Sequence, residues 1–230
     1  LPGRPGPLAG AHLTATARRA RTGIGIIGCG VISHAYAAKL AAIPDVELVA
    51  CADLDAERTR ELADKHAIPQ ALDPERLLGS PDVEVVLNLT IPAAHAQVSA
   101  DALAAGKSVY GEKPLALDLE GGRRLLAQAE IAGLRIGCAR DAFLGAGLQT
   151  CRKLIDDGAI GEPLAANAFF LSPGPESWHP RPQSFYQRGA GPLFDLGPYY
   201  LTALVALLGP ARRVTGSARI SRSRREIKSQ

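Results

Sequence analysis

From Gly23 onward, short apolar runs alternate with longer segments whose apolar residues recur at helical spacing. Residues 24–27 read as a strand, 32–43 as a helix and 46–51 as a second strand. A helix is predicted over 55–65, with Asp55 as its N-cap and Glu57 and Arg58 in its first turns. The rhythm continues through a short helix at 74–78, a strand at 83–89 and a helix at 95–105 that Gly106 stops. A strand at 108–110, a helix at 118–132 opened by Asp118, and a strand at 135–138 complete the series. Strands alternating with helices of this length predict an α/β fold built on a parallel, doubly wound sheet.

After Phe143 the pattern changes. A helix is expected at 148–157, a strand at 164–171, a polar, Pro-rich loop at 172–192, an apolar helix at 196–208 and a strand at 214–220. Two strands and two helices are too few for an independently stable unit. The expected division is a tail over 1–21, the doubly wound α/β domain over 22–143, and a partial second domain over 144–230.

The first strand runs into Gly28-Cys29-Gly30-Val31-Ile32-Ser33. In a dinucleotide fingerprint the first glycine permits the tight turn and the second lets a pyrophosphate approach the backbone at a helix N-terminus. Ser33 stands where Gly or Ala is usual, and it is small enough for close helix–strand packing. Alone, such a turn is a weak signal. Asp53, ending the second strand, strengthens it, because a carboxylate there accepts from the adenosine ribose hydroxyls. A 2′-phosphate would meet like charge, so NAD is expected over NADP; the plainer role for Asp53 is a helix cap, which Asp55 fills better. Residues at the carboxyl ends of strands line the ligand crevice of such a sheet, which brings in Thr90, Pro92, His95, Glu112 and Lys113. A lysine beside a nicotinamide ring can hydrogen-bond a substrate hydroxyl and stabilise the alkoxide that develops as hydride leaves. The alternative is a solvated lysine in an ordinary loop. For His95, helix capping or ribose contact stands beside a catalytic role.

Composition narrows the classes. The chain has 230 residues, is 47% hydrophobic, and carries a net charge of +3, with arginines gathered near both ends. No basic face interleaved with aromatics and no recognition motif points to nucleic acid. The four cysteines show no metal-ligand spacing and read as reduced, mostly buried thiols of a cytoplasmic protein, with no metal site. No stretch is long enough to span a membrane, and 1–21 holds no apolar run of signal-peptide length.

The set Gly28-Cys29-Gly30, Cys51-Ala52-Asp53-Leu54-Asp55, Ala105-Gly106-Lys107, Glu112-Lys113-Pro114 and Gly191-Pro192-Leu193-Phe194-Asp195-Leu196-Gly197 resembles the Gfo/Idh/MocA family of NAD(P)-dependent oxidoreductases. That resemblance implies a Rossmann domain followed by an α+β domain with an open-faced, mainly antiparallel sheet whose outer surface often forms an oligomer interface. A homo-oligomer is therefore expected. Lys113 matches the family's catalytic lysine, and Asp195 the aspartate of its D-x-G-x-H motif, whose histidine is here Tyr199. A tyrosine hydroxyl, ionising near about 10 when unperturbed, is a poorer base at neutral pH, but Lys113 nearby could lower that value, so Tyr199 is expected to share the proton transfer with Lys113 and Asp195; the alternative is that Tyr199 and Tyr200 pack under their helix. The stretch Arg140-Asp141-Ala142-Phe143 and the triplet Gly189-Ala190-Gly191 depart from the family's Arg-Phe-x-Pro and triple glycine, changes expected to alter the hinge.

The implied activity is oxidation of a secondary hydroxyl on a sugar, cyclitol or related polyol. The family also offers an NAD-dependent glycoside hydrolase that oxidises transiently, and a non-catalytic NAD-sensing regulator. Trp178, in the polar loop, suits stacking on a sugar ring, and His179 beside it could bind a hydroxyl or replace the missing histidine; a Trp in such a loop otherwise plugs a gap between domains. Family members extend past this length, and the chain holds no Met, so the sequence is expected to be part of a longer protein.

Overall fold

A computed structural model describes residues 21–139, 142–177, 179, 182–187 and 189–227. The expectations for the tail ahead of Arg21 and for Trp178 lie outside the described residues. In chain order the first unit contains β1 (Thr22–Ile27), α1 (Val31–Leu40), β2 (Val46–Ala52), α2 (Ala56–His66), β3 (Gln70–Leu72), α3 (Pro74–Gly79), β4 (Val85–Asn88), α4 (His95–Ala104), β5 (Ser108–Gly111), α5 (Leu119–Ile131) and β6 (Ile136–Cys138). All pairings are parallel, in the order β3-β2-β1-β4-β5-β6, so the sheet reverses direction of build-up between β1 and β4. Ligand crevices form at that switch point, beyond the carboxyl ends of the strands.

Two-residue periodicity sorts the strand side chains onto opposite faces. Ile27, Ala50, Ala52, Val86 and Val109 pack on one side with Leu103 and Leu125 of α4 and α5. Ile24, Ile26, Cys51 and Leu87 pack on the other with Ala37 and Leu62 of α1 and α2. Both faces are covered, which is why these strands read as continuous apolar runs. Cys29 and Cys51 are buried in the second cluster, where a hydrogen bond with Cys51, followed by burial, pushes the Cys29 thiol well above its ordinary range. Cys138 is only half-buried and Cys151 exposed, so burial holds for two of the four thiols.

The helix starts follow their caps. Asp55 Oδ1 accepts from the Glu57 and Arg58 N–H groups at 3.0 and 3.3 Å, and Asp118 Oδ1 from Gly121 N–H at 2.7 Å. Asp55→Ala leaves the α2 donors without that acceptor and is expected to lower stability by about 1 kcal/mol, read by urea denaturation.

Beyond β6 lie a single helical turn at Ala142–Leu144, then α6 (Ala146–Asp156), α7 (Pro192–Asp195) and α8 (Gly197–Leu208), with short turns at Pro175–Ser177 and Pro182–Tyr186 between α6 and α7. The strands expected at 164–171 and 214–220 run without sheet pairing among the described residues, and Leu164, Phe169, Val214 and Ile220 are exposed. A strand is stabilised by cross-strand neighbours, and those apolar residues have none there. Among the described residues, no helix is long and apolar enough to cross a membrane.

Candidate active site

Gly28 closes β1 in a left-handed conformation (φ +104°), where a Cβ would lie 2.6 Å from the Leu89 carbonyl carbon and oxygen. Only glycine fits there without displacing the backbone just past β4. At Gly30 a Cβ would meet nothing within 4 Å, so the backbone at the start of α1 faces open space. That helix has no side-chain cap. Ser33, fully buried, donates its hydroxyl to the Gly30 carbonyl at 2.6 Å and braces the turn from below.

Asp53 lies beside this turn. Its carboxylate accepts from the Cys29 N–H at 2.7 Å and from the Asp55 N–H at 3.0 Å, one bond on each oxygen. A carboxylate has about four acceptor positions, so capacity remains for ribose hydroxyls. The rim is apolar: Val31, Leu54 and Ile91 are 83, 96 and 64% exposed, and Ile32 is partly exposed. An open glycine backbone at an uncapped helix start, an acceptor carboxylate and an exposed apolar rim are what a dinucleotide's pyrophosphate, ribose and rings require.

Beyond β4, Thr90 donates its hydroxyl to Asn88 Oδ1 at 2.6 Å, and Pro92 follows in the turn that leads to α4. His95 is placed differently from either a cap or a ribose contact. It is 2% exposed, and its ring nitrogens meet two backbone oxygens, Nδ1 that of Pro114 at 2.6 Å and Nε2 that of Thr90 at 2.9 Å. A polar ring buried this deeply needs hydrogen-bond partners, and these two oxygens lie at hydrogen-bonding distance.

The Lys113–Pro114 peptide is cis. Glu112 Oε1 accepts from the Tyr36 hydroxyl at 2.8 Å, and Oε2 from the Lys113 N–H at 3.2 Å. Tyr36 escapes a sequence reading, since nothing along the chain links an α1 residue to the end of β5. Lys113 Nζ donates to the Asp195 carboxylate at 2.5 Å and to its backbone carbonyl at 2.7 Å. Nζ also lies 5.3 Å from the centroid of the Tyr199 ring. The Lys113 side chain is 14% exposed and that of Asp195 33%, so the pair is shielded yet open on one side.

The segment leading into α7 packs against Leu117, four residues beyond Lys113. Gly189 (φ +81°) lies where a Cβ would come within 2.5 Å of Leu117 Cδ2, and Gly191 (φ +84°) precedes α7. The first and last glycines of the altered triplet thus adopt left-handed conformations that favour glycine. In the preceding loop, the His179 N–H donates to the Pro175 carbonyl at 2.9 Å, and its ring meets Phe185 edge-on with centroids 4.8 Å apart. Arg225 donates to Glu176 and to the Pro173 carbonyl, both at 2.6 Å, tying down the start of this loop. The Arg225 hydrogen bond, then that of Tyr186, holds the Glu176 carboxyl down at about 2. The tether is therefore fully present above the ordinary value of 4.5 and is lost as pH falls through about 2.

A six-stranded parallel sheet with a glycine turn and an acidic strand end defines a Rossmann-type nucleotide-binding protein. Comparison with known proteins is more specific. Residues 22–139 match the family described as oxidoreductases with an NAD-binding Rossmann fold, and residues 148–229 match the GFO/IDH/MocA C-terminal domain. The chain belongs to the GFO/IDH/MocA oxidoreductase family. It is 32% identical to an inositol 2-dehydrogenase of Saccharopolyspora erythraea over 68% of this chain and 47% of the relative. With a 1,5-anhydro-D-fructose reductase of Ensifer adhaerens it shares 31% identity over 75% and 52% of the two chains. Among solved structures it is similar to a 3-ketoreductase of Actinomadura kijaniata in complex with NADP and TDP-benzene, with a TM-score of 0.72 and 29% identity over 82% of this chain and 58% of that one. The chain spans about half the length of the curated relatives it matches.

Proposed function

We infer that the chain contributes the cofactor site and the proton-handling residues of an NAD-dependent dehydrogenase that oxidises a secondary hydroxyl of a sugar, cyclitol or related polyol. The observation carrying this reading is the Lys113–Asp195 pair, which joins the end of β5 to α7 beside the glycine turn's crevice. Residues 22–143 form the nucleotide-binding unit in this reading and 144–230 part of the substrate side. The two family matches, which fall on either side of the stretch around residue 143, support that division.

Gly28, Gly30, Val31 and Ile32 would hold the pyrophosphate, Asp53 the ribose, and Thr90, Pro92 and Glu112 the far end of the cofactor. NAD, when bound, supplies the hydride acceptor. The substrate hydroxyl would give its proton to Lys113 Nζ as that nitrogen passes one to the Asp195 carboxylate bonded to it, so the pair takes up the proton and Nζ stays an ammonium. As the carbon–hydrogen bond breaks, that ammonium also offsets the negative charge developing on the substrate oxygen. The face of Tyr199 beside Nζ gives the cation a second favourable neighbour. Sugar and inositol enzymes among the relatives support the polyol class. Trp178 and His179 remain candidates for the sugar ring, and the second domain for a subunit interface.

The direct test is NADH formation at 340 nm with a panel of inositols and hexoses. Substrate-dependent NADH supports the reading, and NAD binding with no turnover on any polyol contradicts it. Asp53→Ala removes a charge-assisted ribose acceptor and is expected to weaken NAD binding by about tenfold or more while narrowing its margin over NADP, by calorimetry. An unchanged ratio of the two affinities would show that Asp53 does not select the cofactor.

A further inference from the structure

His95 is a buried polar side chain that the proposed chemistry does not use, and it touches the residue next to the lysine that chemistry depends on. We propose that His95 is the positioning residue of Lys113: its ring staples the Lys113–Pro114 turn to the end of β4. The two contacts lie on opposite ends of the ring. Nδ1 meets the carbonyl of Pro114, immediately after Lys113, and Nε2 meets the carbonyl of Thr90, at the crevice floor. A carbonyl oxygen only accepts, so the ring donates from whichever nitrogen carries an N–H, and the tautomer sets which of the two carbonyls it serves.

The staple is anchored in turn. Asn88, fully buried at the last position of β4, donates to the His95 carbonyl at 2.9 Å and to the Ser99 hydroxyl at 3.0 Å. Its Oδ1 accepts from the Thr90 N–H and hydroxyl at 3.3 and 2.6 Å. One side of the Lys113 turn is therefore fixed by Glu112 and Tyr36, and the other by His95, Thr90 and Asn88. With both in place Nζ has a defined origin from which to meet Asp195. A lysine has four rotatable side-chain bonds, and its reach is specified only if its backbone is.

The functional meaning of the staple rests on Lys113 being the proton-handling lysine, but its test needs no turnover. The parent chain and His95→Phe are labelled with an amine-reactive reagent, and the rate at each lysine is followed by mass spectrometry, with circular dichroism to confirm folding. Phenylalanine keeps the ring's bulk and removes both contacts. Lys113 is expected to react about fivefold faster, the population change that losing an ordinary hydrogen bond brings, while Lys39, Lys65 and Lys153 keep their rates and NAD still binds. An unchanged Lys113 rate overturns the proposal. A rise at every lysine also overturns it, because that reports general loosening. If His95→Phe does not fold, His95→Asn, which is shorter and cannot bridge both carbonyls, decides on the same readout. Failure to oxidise any polyol would instead strike at the proposed activity and leave the labelling result intact.

Discussion

Lys113→Ala is expected to lower polyol turnover by roughly 10²–10⁴-fold, the range for losing a positioned proton-transfer group. NAD should still bind saturably, because the glycine turn and Asp53 lie at the other end of the crevice. The Lys113 side chain is held by two oxygens of one residue, the carboxylate and carbonyl of Asp195, so its removal also leaves a half-shielded carboxylate without its cation. Asp195 is one-third exposed and can recruit water. The fold should therefore survive, and the thermal midpoint should move by only a few degrees. Stopped-flow or steady-state NADH formation measures the effect; turnover within a factor of two of the parent would remove Lys113 from the chemistry.

The second large effect separates two glycines that lie two positions apart. Gly28→Ala forces a Cβ to within 2.6 Å of the Leu89 carbonyl carbon and oxygen, at a φ of +104°. Left-handed strain and overpacking together should cost about 2–4 kcal/mol, a fall in thermal midpoint of roughly 4–16 °C for a chain of this size. Gly30→Ala behaves in the opposite way. Its Cβ meets nothing within 4 Å, and its φ of −83° suits any residue, so stability should stay within about 0.5 kcal/mol of the parent. NAD affinity should nevertheless fall by at least tenfold, because the methyl group occupies the space through which a pyrophosphate approaches the backbone. Thermal scans and calorimetry on both variants check this, and NAD binding to Gly30→Ala at parental affinity would contradict the placement of the phosphates.

The parallel sheet was legible because its signals are local. Asp55 and Asp118 cap their helices as their position before an amphipathic run predicts, and the buried strands are rich in Ile, Val and Ala. β3 escaped a sequence reading because Gln70-Ala71-Leu72 is too short to show a period, and it exists through its pairing with β2. The reverse holds at 164–171 and 214–220, where strand-like sequence has no partner to pair with among the described residues. At the site, the glycine turn, Asp53 and the Glu112-Lys113-Pro114 stretch could be placed from their positions at strand ends. What could not be read was which side chains meet: Tyr36 with Glu112, or His95 with Pro114. Those contacts are set by how helices α1 and α4 lie across the sheet, which no short-range pattern encodes.

The crevice beyond β1, β2 and β4 is proposed to bind NAD through a glycine backbone and the Asp53 carboxylate. This binding is tested most directly by calorimetric titration of the 230-residue chain with NAD and, separately, NADP. The account predicts saturable, one-site binding of NAD with NADP weaker, as like-charge repulsion at Asp53 requires. A folded chain that binds neither nucleotide, or that prefers NADP, would contradict it.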